Sequence, residues 1–378
     1  MLLDDEIKGL VKNIELTDAN NSESLAESFK ELIGRLKTNL QKPQVIERYE
    51  SYKKNKGSIH PYPIDAAGFA VAYDPLEDEE GFWNTWLKYG VVVGKNVVSK
   101  EVCKYATQRM HEIIREMSDG TCELDKPETW KNAPKDSNGI PFISRGFFEV
   151  YHDKALSDIR QSIRLYIHHV MIWGKVELWT SFDRLGVKLP GHEESYALPL
   201  HVDQNPRIHP DFKTVQGVVA LADCPVERGT FVGVPGSRSL FGDYSQFAPE
   251  RGEFVELIPT SSIADTLKQN AQPIPLRAGH IVSWDSRTTH ANTENKSQKT
   301  RYVAYIAAGP AREDQQDLIK TRMEAFQTGV GTNVREALMH ASKKARYSNH
   351  EKLAKVREPE QLTLLGRLLY GQERYEKI

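Results

Sequence analysis

With 378 residues, 39% of them hydrophobic and 27% charged, the chain has the composition of a globular protein able to bury a large core as one sizeable domain or two modest ones. A formal net charge of −2 supplies no overall basic field, which argues against nucleic acid or an anionic membrane as the partner. Cys103, Cys122 and Cys224 are odd in number and widely spaced, a pattern that suggests neither a disulfide framework nor a zinc module and points to a reducing compartment.

The first residues, Met-Leu-Leu-Asp-Asp-Glu, carry acids where a secretory signal has basic residues and an apolar run. No stretch of about 18 apolar residues follows, so a cytoplasmic location is expected. Leu25, Phe29, Leu32, Ile33, Leu36 and Leu40 recur at helical spacing and form one apolar stripe that must pack on something. The stretch 48–80, rich in Lys, Tyr, Pro and acids, reads as an extended covering segment. Residues 1–80 are therefore expected to form a helical and extended N-terminal extension packed on the core.

The character changes at Tyr89-Gly90-Val91-Val92-Val93, a β-branched run suited to a buried strand. Ser99 can cap a helix whose apolar positions are Val102, Ala106, Met110, Ile113 and Met117. Leu156, Ile159, Ile163, Ile167 and Val170 predict a second helix. It carries His168 and His169, but adjacent helical positions diverge by about 100°, so packing or surface roles are expected for both. Seven short strands follow, at 176–182, 195–202, 215–221, 230–234, 272–276, 280–284 and 302–307, separated by Gly, Pro and Asp clusters. That rhythm predicts a mainly β fold with flanking helices: a double-stranded β-helix, the cupin-like jelly roll, over residues 81–310. Residues 311–378 are expected to be a helical C-terminal extension, with stripes at Leu318, Ile319, Met323 and Phe326 and at Leu362, Leu365, Leu368 and Leu369. The basic run Lys343-Lys344-Ala345-Arg346 reads as a solvated helix face diluted by nearby acids.

Chemistry concentrates at Pro199-Leu-His-Val-Asp-Gln-Asn-Pro206. Side chains alternate along a strand, so His201 and Asp203 share a face and can touch one ion. His290, closing the run from Gly279 to His290, is the best third ligand. Two imidazoles and a carboxylate on three corners of an octahedron leave positions open for substrates, as in non-haem Fe(II) oxygenases. Arg301 stands eleven residues after His290 at the start of an apolar strand, where a guanidinium could grip a distal carboxylate with two parallel hydrogen bonds. His-x-Asp, a long gap, His and then Arg is the order an Fe(II)- and 2-oxoglutarate-dependent enzyme requires. His192 and His209 lie in loop-like stretches, and His280 shares a strand with Val282 and Trp284, so each is expected at the surface or behind the ligands.

At these residues the sequence resembles the phytanoyl-CoA dioxygenase-like branch of the Fe(II)/2-oxoglutarate oxygenases. The resemblance begins at Tyr89-Gly-Val-Val-Val-Gly-Lys and continues through His201-Val-Asp203, Gly229-Thr-Phe-Val-Gly-Val-Pro-Gly-Ser-Arg238 and Gly279-His280. It ends at His290 and Arg301. It implies that His201, Asp203 and His290 bind iron and that Arg301 binds the C5 carboxylate of 2-oxoglutarate. Asn292 falls where members often have a serine or threonine that helps hold the co-substrate. The family's usual Pro-Gly-Ser-His reads Pro-Gly-Ser-Arg here, and its Gly-Asp reads Gly279-His280.

The expected reaction uses Fe(II), 2-oxoglutarate and O2, releases succinate and CO2, and oxidises a substrate C–H bond. The carboxylate of Asp203 favours hydroxylation, desaturation or ring closure, since related halogenases replace it with a small residue. Gln204 and Asn205, just after Asp203, are the expected substrate contacts, and Arg145, Arg184, Arg207 and Arg238 could pair with a substrate anion. A small, polar, carboxylate-bearing or amino-acid-like metabolite is expected. The alternatives are an acyl-CoA or macromolecule hydroxylase, and a non-enzymatic cupin-like metal-binding module.

Overall fold

The valine-rich runs at 91–93 and 215–219 pair antiparallel with 281–285, and a two-sheet core grows from that pairing. The computed structural model describes the chain except residues 18–21, 136–140, 142, 144, 145, 149, 192–197, 213 and 333–349. Arg145, His192 and the basic run at 343–346 thus lie outside the described residues, as do the first three residues of the strand expected at 195–202.

The major sheet runs in the order β1 (Val91–Gly94), β9 (Ile281–Asp285), β5 (Val215–Ala220), β11 (Arg301–Tyr305) and β3 (Leu185–Lys188). The minor sheet runs β7 (Val255–Glu256), β4 (His201–Val202), β10 (His290–Asn292), β6 (Phe231–Gly233) and β8 (Gln272–Ile274). A separate ribbon pairs β12 (Ala308–Pro310) with β2 (Leu178–Thr180). This is the expected jelly roll. Strand alternation fills it from both sides. Val218, Ala220, Val282, Trp284 and Val303 of the major sheet meet Phe231 and Ile274 of the minor one between the sheets. Leu185, Val187, Val219, Ile281 and Ala304 turn outward onto a helix, which is why these strands are buried on both faces.

The helices, in chain order, are α1 (Asp5–Leu16), α2 (Ser22–Leu40), α3 (Pro43–Lys54), α4 (Glu79–Tyr89), α5 (Lys100–Met117), α6 (Lys154–Arg160), α7 (Ile163–Trp173), α8 (Ala264–Gln269), α9 (Gln316–Thr328), α10 (His350–Val356) and α11 (Leu364–Tyr370). Helix α5 covers the outer face of the major sheet, and Ser99 accepts from the Val102 amide as its cap. A second apolar cluster joins α1, α2, α4, α7 and α11, so both terminal extensions share one core. Tyr52 of α3 reaches from it into the barrel wall, donating to Asp285 Oδ2 at 2.7 Å.

Two expectations change. Part of the covering segment at 48–80 is helical, because Pro43 pre-sets the first turn of α3 and Lys53 and Lys54 suit its negative end. The helix expected across 156–170 is two, α6 and α7. The chain turns at Gln161-Ser162, where Ser162 Oγ donates to the Val97 carbonyl at 2.6 Å, and the apolar stripe continues through the break and hides it. Among the described residues, no helix is long and apolar enough to cross a membrane.

Candidate active site

His201 and His290 begin β4 and β10 and lie directly opposite each other in the antiparallel register. Their ring centroids are 4.3 Å apart. Nδ1 of His201 lies 2.7 Å from the Pro199 carbonyl, and Nδ1 of His290 lies 3.0 Å from the Thr288 carbonyl. A carbonyl oxygen only accepts, so each Nδ1 carries the proton and each Nε2 presents a lone pair. Those Nε2 atoms lie 3.8 Å and 3.3 Å from Asp203 Oδ2. One ligand atom from each of the three residues falls within 4.8 Å of the others, the spacing of groups around one ion. Gln216 of β5 donates to Asp203 Oδ2 at 3.1 Å and fixes the carboxylate.

The electrostatics suit metal binding. Burial, reinforced by His290, pushes His201 down to about 4, so its imidazole is neutral at physiological pH. Burial alone would raise the Asp203 carboxyl, but His290, His201 and the Gln216 amide outweigh it and hold the group well below the usual carboxylate range. Aromatic rings pack round the imidazoles: Trp284 lies 5.0 Å from His290, and Phe254 lies 4.6 Å from His201.

These residues line a cavity of about 340 Å³ that also reaches Arg301, Asn292, Tyr305, Phe147 and Arg184. Arg301 opens β11 and alternates with the outward Tyr302 and Ala304, so its side chain enters the barrel. It is buried, and its Nε has no hydrogen-bond partner. An orphaned guanidinium donor lining a cavity matches a missing carboxylate, and the two-imidazole, one-carboxylate set matches a missing divalent iron. The residues present therefore fit both groups. Beside Arg301, and paired with it in register, stands Lys188 of β3, only 3% exposed. Burial, with Arg301 adding to it, pushes its ammonium down to about 7. Lys188 Nζ donates to Asn292 Oδ1 at 2.9 Å and to the Thr293 carbonyl at 2.5 Å.

The expected substrate contacts are less closely gathered than His201, Asp203 and His290. Of the expected ones, Arg184 lines the cavity, its Nε bonded to Asp183 and its guanidinium over the Phe147 and Tyr151 rings. Gln204 does not: its amide donates to the His209 and Asp211 carbonyls. Asn205 is fully buried and donates to the Pro249 and Gly252 carbonyls, holding the loop that follows β4. Arg238 lies over the Tyr52 ring and donates to the Leu87 carbonyl, tying α4 to the Pro-Gly-Ser loop. Arg207 bonds the Ser245 carbonyl. His209 pairs with Glu253, His280 Nδ1 lies 3.4 Å from the Asn96 amide, and His168 meets Ser283 in the core, where His169 is also buried. Sequence reasoning passed over Lys188, Gln216, Phe147, Phe254 and Thr332. A basic residue in the otherwise apolar Leu-Gly-Val-Lys strand was the one available signal among them.

Fold and cavity together define an iron- and 2-oxoglutarate-dependent oxidoreductase. The model of the phytanoyl-CoA dioxygenase family matches residues 86–303, more than half of the sequence, and the chain belongs to that family, whose members use Fe(II), 2-oxoglutarate and O2. Among its relatives, Ava biosynthesis cluster protein O of Aspergillus versicolor is 23% identical over 277 residues, covering 68% of this chain and 86% of that protein. A Dictyostelium discoideum protein named for phytanoyl-CoA dioxygenase is 22% identical over 263 residues, covering 59% of this chain and 73% of its own length. A Salmonella typhimurium LT2 structure described as an oxidoreductase aligns over 97% of this chain and 96% of its own, with a TM-score of 0.54 at 17% identity, a likeness of fold.

Proposed function

We propose that His201, Asp203 and His290 hold Fe(II), that Arg301 and Asn292 receive the C5 carboxylate of 2-oxoglutarate, and that the chain oxidises a C–H bond of a small, carboxylate-bearing metabolite. The observation that carries this reading is the buried, unpartnered Nε of Arg301 in the same cavity as the three-ligand cluster. Iron with 2-oxoglutarate and O2 supplies the oxidant, as succinate and CO2 are released. The protein's part is positional. Carbonyl contacts at Nδ1 aim both imidazoles, Gln216 restrains the carboxylate, and Val218, Phe231 and Trp284 keep the cavity wall apolar. Phe147, Leu198 and Phe254 offer an apolar bed for the body of a substrate, and Arg184 offers a cation for its carboxylate. A volume of about 340 Å³ suits a small molecule better than a macromolecular segment.

The test is anaerobic loading with Fe(II), addition of 2-oxoglutarate, and measurement of succinate against panels of amino-acid derivatives, other carboxylates and acyl-CoAs. Succinate formation stimulated by a carboxylate metabolite is expected. Protein that binds neither Fe(II) nor 2-oxoglutarate refutes the oxygenase reading, and stimulation by acyl-CoAs alone refutes the substrate class.

A further inference from the structure

The cavity end opposite the imidazoles holds an imbalance. Arg301 and Lys188 occupy paired positions on adjacent strands, and both are at least nine-tenths buried. Among the described residues, no carboxylate lies within ion-pairing distance of either. Buried like charges repel and lose hydration, and Lys188 responds by giving up its proton more readily than a free lysine, so an anion joining the pair would favour the charged form. Lys188 is not itself part of the cavity wall. Its ammonium has only donors, so the amide oxygen of Asn292 must face it, and the amide nitrogen of Asn292 is turned the other way. Asn292 lines the cavity. The same ammonium grips the Thr293 carbonyl, which fixes the backbone on which Asn292 rides. Gly229 leaves it room. A Cβ there would approach Lys188 Cδ to 3.2 Å, closer than an ordinary contact.

We propose that Lys188 is a positioning residue for the co-substrate: by orienting the Asn292 amide and adding a second positive charge behind it, it makes the Arg301 end of the cavity selective for a 2-oxo acid that bears a distal carboxylate. The inference rests on the co-substrate reading above. Its prediction concerns selectivity between 2-oxo acids, not merely binding. 2-Oxoglutarate and 2-oxobutyrate share the oxo-acid end and differ in the distal carboxylate, so only the former should sense Lys188.

The experiment titrates both acids calorimetrically, without O2, into protein loaded with Mn(II), comparing wild type, Lys188→Met, Asn292→Ala and the double variant. Lys188→Met should weaken 2-oxoglutarate about tenfold, the scale of a charge-assisted hydrogen bond acting through one intermediary, and change 2-oxobutyrate less than about twofold. Mn(II) affinity, titrated separately, should not move. Asn292→Ala added to Lys188→Met should cost little more, because the two act as a unit. Equal losses for both acids, or fully additive single effects, would overturn the proposal and leave Lys188 a packing residue. If Lys188→Met does not fold, Lys188→Gln, which keeps an N–H donor and loses the charge, takes its place: it should lose selectivity for 2-oxoglutarate, and unchanged selectivity refutes the role of the charge. Wild type that binds Mn(II) but no 2-oxoglutarate refutes the underlying reading instead, so the two failures are distinguishable.

Discussion

The two ends of the cavity are built on opposite electrostatic plans. At one, on the minor sheet, two imidazoles and a carboxylate bring their ligand atoms within 4.8 Å of one another, and each imidazole is already committed to a carbonyl through its far nitrogen. At the other, on the major sheet, Arg301 and Lys188 are basic side chains in register, and among the described residues no carboxylate lies within ion-pairing distance of either. The first is a small set that orders itself and waits for a cation. The second is rich in donors and waits for an anion. Both sheets contribute to each end: Gln216 of the major sheet braces Asp203, and Lys188 of the major sheet bonds Asn292 of the minor one.

Breaking the metal end should have the larger effect. Asp203→Ala or His201→Ala is expected to abolish Fe(II) binding and turnover while the far-ultraviolet circular dichroism stays native, checked by anaerobic metal titration. At the other end, Arg301→Ala should weaken 2-oxoglutarate roughly a hundredfold, as losing a buried charged hydrogen-bonding partner does, and leave the metal affinity near wild type. Equal losses of both ligands in a folded variant would contradict this division of labour. The apolar bed between the ends should behave as neither. Phe254→Ala should raise KM for the organic substrate several-fold with little change for 2-oxoglutarate, measured by steady-state kinetics.

Acid should erode the fold itself. Burial holds His169 and His280 down to about 4, and His168 and His152 are lowered too, all below the ordinary histidine value of 6.5. The unfolded chain therefore binds more protons than the folded one between those values. This contribution to stability is fully present above about pH 6.5 and is lost as pH falls towards 4, so the denaturant midpoint should drop through that window. The smallest effect belongs to Tyr52→Phe, which should cost about 2 kcal/mol in denaturant unfolding, because Arg287 still holds Asp285.

Local spacing made the three-residue cluster legible. His201 and Asp203 share a strand face by two-residue alternation, and His290 and Arg301 follow at an interval the chemistry recognises. Adjacency to Asp203 did not bring Gln204 and Asn205 to the cavity. Strand β4 is two residues long and the chain turns straight after Asp203, so position in sequence ceases to predict direction, and the Asn-Pro-Arg turn claims the Asn205 side chain, whose Oδ1 accepts from the Arg207 amide. Lys188 was illegible for another reason. Its meaning lies in register with Arg301 and in contact with Asn292, more than a hundred residues away, and only strand pairing brings them together. The jelly roll was readable from the rhythm of its short strands, whereas β3, β7, β10 and β12 are too short or too polar to announce themselves.

The hydroxyl of Tyr52 on Asp285 carries one further consequence. Asp285 ends β9, five residues before His290, and Tyr52 belongs to a helix whose neighbours share their core with the last helix of the chain. Opening the N-terminal helices would leave the buried Asp285–Arg287 pair facing water and slacken the turn that delivers His290. The residues around His290 should therefore exchange their amide hydrogens in the same cooperative unit as residues near both termini, and iron loaded at the proposed site should leave as the terminal helices open.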